Sequence, residues 1–422
     1  MKRILSYLLI GASLFCSCGD KLDIYPRSAV APESITEKDL AALELGMYNR
    51  VQNNPPTESW ILNDLVGGTL QGSTSTPFDL INNTLSPLSG IVGGGWNGYY
   101  TALYQVNNVL KITNSLGASA VRNRVKGEAH YFRAMLYYFL VTRWGGVPLL
   151  RENTLDALPR SSAAEVWALI EEDLQQSIDL LGGSSGYYYV SQDAAKALMA
   201  RVKLTQNKMT DAAQLAESLI TGGKYSLDSF EKIFRKVQNT EVIFAFVNNT
   251  EESSNAISNL FYTYAHTNKG GYFYRPPQMV MDLFVAEDKR KAMSVDVVAG
   301  NNVINKYPSG QGGRDPVIIS RLGEIYLISA EAQGRNLGTA RLNELRAFRG
   351  LTPVFPATDA AFVDAVLAER RRELLAENFM YVDLVRTGRA KAVLGILDHQ
   401  LVLPIPNTEL RVNPKLVPNP GY

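Results

Sequence analysis

The chain has few of the residues that form disulfides and metal centres, and it has no excess of charge of either sign. Its 422 residues include two cysteines and three histidines, and no two of the histidines are close in sequence. Lysine and arginine number 42, and aspartate and glutamate 41, which gives a formal net charge of +1. A balance this close provides no general attraction to nucleic acid. The scattered histidines match no metal-binding spacing, so the sequence predicts neither a metal site nor another cofactor.

Long apolar runs are also missing, apart from one short run near the N-terminus. Residues 4–15 read ILSYLLIGASLF and follow Lys2 and Arg3. A membrane-spanning helix needs about 20 apolar residues, whereas a shorter run behind basic residues is typical of a secretory signal. We therefore interpret residues 1–17 as a signal peptide and residues 18–422 as the mature protein.

Both cysteines follow this run, in the stretch FCSCG. Cys18 has the small Ser17 before it and Gly19 after it, which indicates a lipoprotein signal in which the Cys18 thiol is acylated and becomes the first mature residue. Cys16 would then be removed with the signal, and no cysteine would remain for a disulfide. A C-x-C metal or redox pair is the alternative, but neither a second cysteine pair nor a nearby histidine completes such a site.

Amphipathic helical patterns account for most of the remaining chain, so we predict a mainly α fold. They form a helical scaffold at about residues 34–53, 97–222 and 315–390. Residues 54–96 and 223–314 are instead rich in Gly, Asn, Ser, Pro and aromatics, which predicts an irregular portion with one strand, EVIFAFV. A chain of this length exceeds the roughly 250–300 residues at which a single core stops growing, so we expect two lobes or an extended helical array.

Two helical segments are especially informative. EAHYFRAMLYYFLVTRW is apolar nearly all round between Tyr131 and Val141, which predicts a buried central helix that ends before Gly145. Arg133 within it argues against a membrane span. Residues 193–227 contain two Ala-rich helical patterns joined by a short polar turn. This arrangement is typical of helical-repeat hairpins of about 34 residues.

The sequence offers little evidence for catalysis. GGSSG at residues 182–186 has the letters of a nucleophile elbow, but a helical pattern precedes it and YYYV follows, so we predict a loop. Glu324 and Glu331 lie about 10 Å apart along one helix, near the upper limit for an inverting glycosidase pair. We instead expect them to form ion pairs with arginines of packed helices, namely Arg321, Arg346 or Arg349.

The run ERRRE at residues 369–373 has the appearance of a basic patch. Glu369 and Arg372, and likewise Arg370 and Glu373, are three residues apart. Opposite charges at this spacing favour a salt-bridged helix face over a nucleic-acid or anion site.

Seven segments between residue 18 and Tyr422 are informative because of the order in which they occur. They are CGDKLDIYP, EAHYFRAMLYYFLVTRWGGVPL, AAKALMARVKL, RLGEIYLISAEA, LNELRAFRG, ERRRELLAENFMYVDLVRTG and LVLPIPNTELRVNPKLVPNPGY. Each is weak alone, but together they resemble the SusD/RagB family of outer-membrane nutrient-binding lipoproteins of Gram-negative bacteria. The resemblance covers the whole mature chain.

The resemblance implies a fold of four tetratricopeptide-like helical hairpins with an irregular portion that carries the ligand loops. It also implies a SusC-like TonB-dependent transporter as the partner and a lipid-anchored location at the outer membrane. The implied activity is capture of a glycan without catalysis, and peptide binding of the RagB type is the alternative. A surface glycosidase and a purely structural helical-repeat adaptor are the competing classes. The chain is short for the family, which implies trimmed ligand loops.

Two sets of residues follow from these interpretations. The charged residues of the family-like motifs are expected to be framework, because buried charges persist only when paired; they are Glu128, Arg133, Glu331, Arg370 and Asp383. The candidate ligand-binding residues combine flat rings with polar neighbours, as sugars require; they are Trp60, Asn63, Asp64, Trp96, Asn97, Tyr272, Tyr274 and Arg275. The alternative is that these rings pack the core, most of all Trp96, which repeats at helical spacing with Tyr100 and Tyr104.

Overall fold

Helices dominate the computed structural model, which describes residues 35–73, 80, 84–183 and 186–422. The first half of the chain forms α1 (Leu40–Asn53), α2 (Leu62–Val66), α3 (Gly90–Ser115), α4 (Ala120–Trp144), α5 (Ala163–Leu180), α6 (Gln192–Thr205) and α7 (Met209–Thr221). The second half forms α8 (Phe230–Phe234), α9 (Gln278–Met281), α10 (Lys291–Ser294), α11 (Leu322–Phe348), α12 (Asp359–Glu373), α13 (Met380–Arg386), α14 (Ala390–Leu394) and α15 (Asn407–Val412). The predicted mainly α class is confirmed.

The long helices pack in pairs. Among the described residues, eight helices have 13 residues or more, and they pair as α1 with α3, α4 with α5, α6 with α7 and α11 with α12. Contacts of α3 with α4, α5 with α6 and α7 with α11 stack the pairs in chain order. This is the expected set of four helical hairpins. Helix α11 contains a break at Gly334, where φ is 69°.

Helix α4 is the centre of the scaffold, as its sequence predicts. Ser119 caps it by accepting a hydrogen bond from the Arg122 amide, and Gly145, with φ of 72°, ends it. Every residue from Gly127 to Val141 is buried. In the part of the chain that the structure describes, no helix is at once long and apolar enough to span a membrane.

In the described ranges, the strands are short and form three antiparallel pairs. They are β1 (Gln71–Gly72), β2 (Val242–Phe246), β3 (Tyr274–Arg275), β4 (Val295–Val298), β5 (Asn301–Ile304) and β6 (Val317–Arg321). The pairs are β1 with β3, β2 with β6 and β4 with β5. The strand predicted from EVIFAFV is β2, which confirms that prediction, whereas the other five strands had no signal in the sequence.

One boundary of the predicted scaffold is wrong. Helix α3 begins at Gly90, seven residues before the predicted limit at 97, so the glycine-rich stretch GIVGGG is mostly helical. The stretch packs against the preceding segment, because a Cβ atom at Gly94 would lie 3.0 Å from Pro56 Cγ and one at Gly95 would lie 3.3 Å from Ser59 Oγ. The contact is closest a turn further on. A Cβ atom at Gly98 would lie 2.5 Å from the Asn54 carbonyl oxygen and 2.6 Å from the Pro55 Cα atom. Glycine is therefore required where the loop crosses the helix.

Aromatic rings connect the helical scaffold to the irregular portion. Phe132 of α4 stacks on Phe246 of β2 with ring centroids 5.8 Å apart and an interplanar angle of 14°. Tyr48 of α1 packs edge-on against Phe132 at 4.7 Å. Trp60 packs edge-on against Phe246 at 5.8 Å. Burial of such large rings is the main favourable term at this junction.

A buried ionic cluster makes a second connection, and it corrects the interpretation of ERRRE. Glu373 at the end of α12 accepts hydrogen bonds from Arg290 at 2.7 Å, Arg321 at 2.6 Å and Arg349 at 2.7 Å. Glu241 binds the last two arginines as well. All five side chains are buried. Within ERRRE, Glu369, Arg370 and Glu373 therefore face the core, whereas Arg371 and Arg372 are half-buried.

Only part of the predicted pairing within ERRRE is formed. Arg372 lies 3.6 Å from Glu369, three residues earlier. Arg370 instead pairs with Asp383 at 2.6 Å, and Glu373 belongs to the buried cluster.

Candidate ligand-binding site

The first three candidate ligand residues, Trp60, Asn63 and Asp64, are buried, and the two polar ones support the turn of residues 376–378. Trp60 is buried and lines a cavity of about 20 Å³, which has room for about one water molecule and not for a sugar ring. The Asn63 side chain donates to the Asn378 carbonyl at 2.8 Å. Asp64 accepts from the backbone amides of Ala376 at 3.1 Å and Asn378 at 2.6 Å.

The turn that Asp64 holds is strained. Ala376 and Asn378 have positive φ angles of 60° and 75°, which side-chain-bearing residues seldom adopt. The carboxylate of Asp64 stabilises the turn by satisfying both amides. Burial raises the pKa of Asp64 to about 6, even though the two amides and Thr69 act in the opposite direction. Asn63 and Asp64 are thus explained as structural residues.

The second group lies on α3 and divides between core and surface. Trp96 is buried, with its ring 5.4 Å from Trp144 and 5.1 Å from Tyr100. The packing alternative that the helical spacing suggested therefore describes Trp96. Its neighbour Asn97 is exposed on the outer face of the helix.

The third group lies at the β1–β3 pair. Tyr274 is buried in the core, whereas Tyr272 and Arg275 are half-buried. The Tyr272 hydroxyl donates to the Asn302 carbonyl at 3.0 Å. Partial burial raises the pKa of Tyr272, and the nearby Arg275 guanidinium acts against this shift. Tyr272 and Arg275 are therefore together at the surface, while Asn97 belongs to a different element.

An exposed aromatic surface does exist beside this third group, on the loop of residues 264–273. Tyr264 is 71% exposed, and the Lys269 ammonium lies 4.6 Å from the centre of its ring. Phe273 is 40% exposed. Tyr264 and Lys269 were not among the residues predicted from the sequence, although they lie in the same ring-rich stretch, FYTYAHTNKGGYFYRPP, as Tyr272.

The 264–273 loop is held in place from both sides. The Asn268 side chain donates to the Pro308 carbonyl at 2.7 Å, and the Gln311 amide donates to the Lys269 carbonyl at 2.7 Å. Within the loop, His266 stacks on Tyr262 with ring centroids 3.7 Å apart. On this anchored loop, the exposed Tyr264 ring can contact the apolar face of a sugar, and the Lys269 ammonium can hydrogen-bond its hydroxyls.

The charged residues of the family-like motifs are paired inside the scaffold. Arg133 forms two hydrogen bonds to Asp173, at 2.7 and 2.8 Å. Arg386 binds both Glu331 and Asp383. Their burial and pairing agree with the expected framework role.

The predicted partners of the two glutamates on α11 are wrong. Glu324 binds Arg201 of α6 at 2.6 Å, and Glu331 binds Arg386 of α13 at 2.5 Å. Neither pairs with Arg321, Arg346 or Arg349, because the packing of α11 against α6 and α13 brings other arginines closer. Both carboxylates are buried and bound to a guanidinium, which leaves neither available as a free acid or base.

Comparison with known proteins agrees with this architecture. A family model described as "Starch-binding associating with outer membrane" matches residues 22–204, and one described as "SusD family" matches residues 297–400. Together the two matches cover more than half of the chain. The chain belongs to the SusD/RagB family.

Relatives of this SusD/RagB protein match along nearly its full length. A SusD-like protein from Formosa agariphila is 24% identical, and the match covers 98% of each chain. Among solved structures, a protein titled "Laminarin binding SusD-like protein" has a TM-score of 0.76 at 24% identity, over 91% of this chain and 99% of that chain. Surface glycan-binding protein A from Bacteroides fluxus has a TM-score of 0.79 at 20% identity, over 92% and 100%. These similarities establish a common fold.

The predicted signal peptide and the acylated Cys18 lie outside the described residues. Over the ranges that are described, no group of three or more His, Cys, Asp or Glu side chains is arranged to hold a metal ion.

Proposed function

We propose that this protein is a cell-surface lipoprotein that captures a glycan and delivers it to a SusC-like TonB-dependent outer-membrane transporter. The observation that carries the proposal is family membership along the chain, together with two relatives of the same fold that are named for glycan binding. The family description itself refers to starch binding and to the outer membrane. Anchoring would depend on acylation of Cys18, and several acyl chains are needed for stable attachment.

The two glutamates whose sequence spacing resembles a glycosidase pair are not arranged for catalysis. A glycosidase needs two carboxyl groups that face a cleft, one of them free to donate or accept a proton. Glu324 and Glu331, the pair with suitable spacing in the sequence, are each buried and bound to an arginine. The proposed role for them is to join α11 to α6 and α13.

We place the glycan site on the irregular portion, at the 264–273 loop. Tyr264 would stack on a sugar ring, and Lys269 would hydrogen-bond its hydroxyls. Tyr272 lies in this loop and Arg275 follows it by two residues, and since both are partly exposed they are the predicted residues best placed to extend the site. Asn97 stays a candidate on a separate surface. Trp60, Asn63, Asp64, Trp96 and Tyr274 would need a rearrangement before a ligand could reach them.

The test is affinity electrophoresis of purified protein through gels that contain laminarin, starch or xylan. We expect at least one glycan to retard the wild type, and Tyr264→Ala to lose most of that retardation. Tyr104→Ala is the matched control, because Tyr104 is also exposed, at 59%, but lies on α3.

Each other outcome has a defined meaning. If no glycan retards the protein and calorimetry detects a peptide instead, the peptide-binding alternative replaces the glycan proposal. New reducing ends after incubation with a glycan would show an enzyme. Retardation that Tyr264→Ala leaves unchanged would place the site elsewhere on the protein.

A further inference from the structure

A second open cleft lies on the helical scaffold. None of its lining residues belongs to the 264–273 loop. It has a volume of about 380 Å³ and lies between α1, the start of α4 and the segment that follows α5. Its lining comprises the polar or aromatic residues Glu44, Arg124, Glu128 and Tyr189, together with Val190 and residues 181–183. We name it the Tyr189 cleft. A cleft of this volume can hold one or two sugar rings.

One wall of the Tyr189 cleft is an aromatic ring that is both exposed and fixed. Tyr189 is 56% exposed, and its ring packs against Tyr48 of α1 with centroids 5.7 Å apart. The Tyr48 hydroxyl in turn accepts a hydrogen bond from the Val190 amide at 2.8 Å. These contacts fix the segment that carries Tyr189 while they leave more than half of its side chain open to the solvent. A preformed ring of this kind loses little conformational entropy on binding.

The floor of the cleft is polar. Glu44 and Glu128 both contact the Arg124 guanidinium, Glu44 closely and Glu128 at 3.4 Å. Glu128 is fully buried, and its second carboxyl oxygen, Oε2, has no hydrogen-bond partner among the described residues. Glu128 is thus enclosed by the protein, and the Arg124 side chain, which is 44% exposed, is the part of the floor most open to a ligand.

The Glu44–Arg124 ion pair on the floor carries no net charge. Burial and the neighbouring Glu44 raise the pKa of Glu128 well above its usual range, which favours the uncharged form of Glu128. Acceptors on Glu44 and donors on Arg124 then occur side by side. An acidic or basic ligand would disturb this balance, whereas a neutral polyol uses both kinds of group.

We propose that the Tyr189 cleft is a second glycan subsite, which takes a neutral sugar ring against Tyr189 and binds its hydroxyls through Glu44 and Arg124. This inference rests on the proposed glycan-binding function and adds a site that is built from the helical scaffold. Two subsites on one chain would raise the apparent affinity for a long polymer that reaches both, without any further contact.

The test is calorimetric titration with short neutral glycans, namely laminaritriose, maltotriose and xylotriose, with trigalacturonic acid as the acidic comparison. For a neutral trisaccharide that binds, we expect two binding events per wild-type chain and one in Tyr189→Ala. Glu44→Gln should weaken the same event about tenfold, and Tyr104→Ala, matched in exposure, should keep both events. The melting temperatures of the variants exclude unfolding as the cause.

The outcomes separate this inference from the proposed function. A wild type that binds one neutral trisaccharide, with the same affinity and stoichiometry in Tyr189→Ala, overturns the subsite and leaves the proposed function intact. A cleft that binds only trigalacturonic acid, with loss in Tyr189→Ala, overturns the neutral assignment. No binding of any neutral probe contradicts both the subsite and the glycan-binding proposal.

Discussion

Buried arginines form the ionic part of the junction between the two portions. Burial alone would raise the pKa of Glu373, but Arg349, Arg321 and Arg290 together hold it well below its usual range. Glu373 is therefore charged in the core and needs its cations. Such a cluster is weak evidence for net stability, but removing one member leaves an uncompensated buried charge.

Arg349→Met should destabilise the protein by about 3–5 kcal/mol, because Glu241 and Glu373 would each lose a buried cation. The matched control is Arg335→Met. Arg335 pairs with the exposed Asp359, and loss of such a pair costs about 1 kcal/mol or less. Chemical denaturation of the two variants measures the difference. Equal effects would contradict the idea that the buried cluster depends on each arginine.

Asp64 should make the stability depend on pH in the opposite sense to most carboxyl groups. Its pKa is raised to about 6 from a value near 3.8, so between these values the folded state binds the proton more tightly than the unfolded state. Its contribution to the free energy of unfolding is therefore greatest below about pH 4 and declines as the pH rises through 6, on the order of 3 kcal/mol in all.

The measurement is the free energy of unfolding of wild type and Asp64→Asn from pH 4 to pH 8. The variant has no titrating group at this position, so the wild-type advantage over it should shrink as the pH rises. Other buried carboxyl groups, such as Asp173 and Asp383 with lowered pKa values, titrate in both proteins and cancel in the difference. A difference that stays constant across this range would show that burial does not raise the pKa of Asp64.

At the scale of elements, helix α3 shows how a loop and a helix depend on one glycine. At Gly98 the helix touches the backbone of residues 54–55, and a Cβ atom has no space. At Gly93, five residues earlier, the atom nearest to such a Cβ is the Cβ of Pro406, 3.9 Å away. The same substitution therefore has opposite expected effects at two positions of one helix.

Gly98→Ala should destabilise the protein by about 1–3 kcal/mol through steric overlap with the loop. Gly93→Ala should stabilise it by about 0.5–1 kcal/mol, because alanine loses less backbone entropy in a helix. Thermal unfolding of both variants compares them directly. Destabilisation of similar size at both positions would contradict the close packing of the 54–55 loop.

Sequence patterns predicted the helical elements well, and the exceptions have physical reasons. The buried run in α4 and the hairpin of α6 and α7 were predictable because apolar residues at helical spacing need a core. The early start of α3 was not, because three consecutive glycines favour a loop until tertiary contacts favour the helix. The burial of charged residues in ERRRE could not be predicted either, because the sequence alone does not show which partners neutralise their charges.

The candidate ligand site was less predictable than the helices. Tyr264 and Tyr274 occur in the same ring-rich stretch, but Tyr264 is exposed and Tyr274 is buried where β3 pairs with β1. The stretch has no periodicity from which this difference could be read. The Tyr189 cleft was equally hidden, because Glu44, Glu128 and Tyr189 come from three separate segments.

At the scale of the whole molecule, the proposal requires a lipid anchor that the described residues do not include. We predict that Cys18→Ala abolishes labelling of the protein by a radioactive fatty acid in growing cells, because the acylated thiol is lost. Cys16→Ala is the matched control and should stay labelled, since Cys16 is predicted to leave with the signal peptide. Labelling that persists in Cys18→Ala and disappears in Cys16→Ala would reverse the assignment.

The central claim is that the protein acts together with a transporter, and recovery of the tagged protein from detergent-solubilised outer membranes tests it most directly. The account predicts that a large TonB-dependent β-barrel is recovered with it in a stable complex. An unrelated surface lipoprotein with the same tag, expressed to the same level, should not recover this barrel. Recovery of a well-expressed wild-type protein without any such transporter would contradict the account.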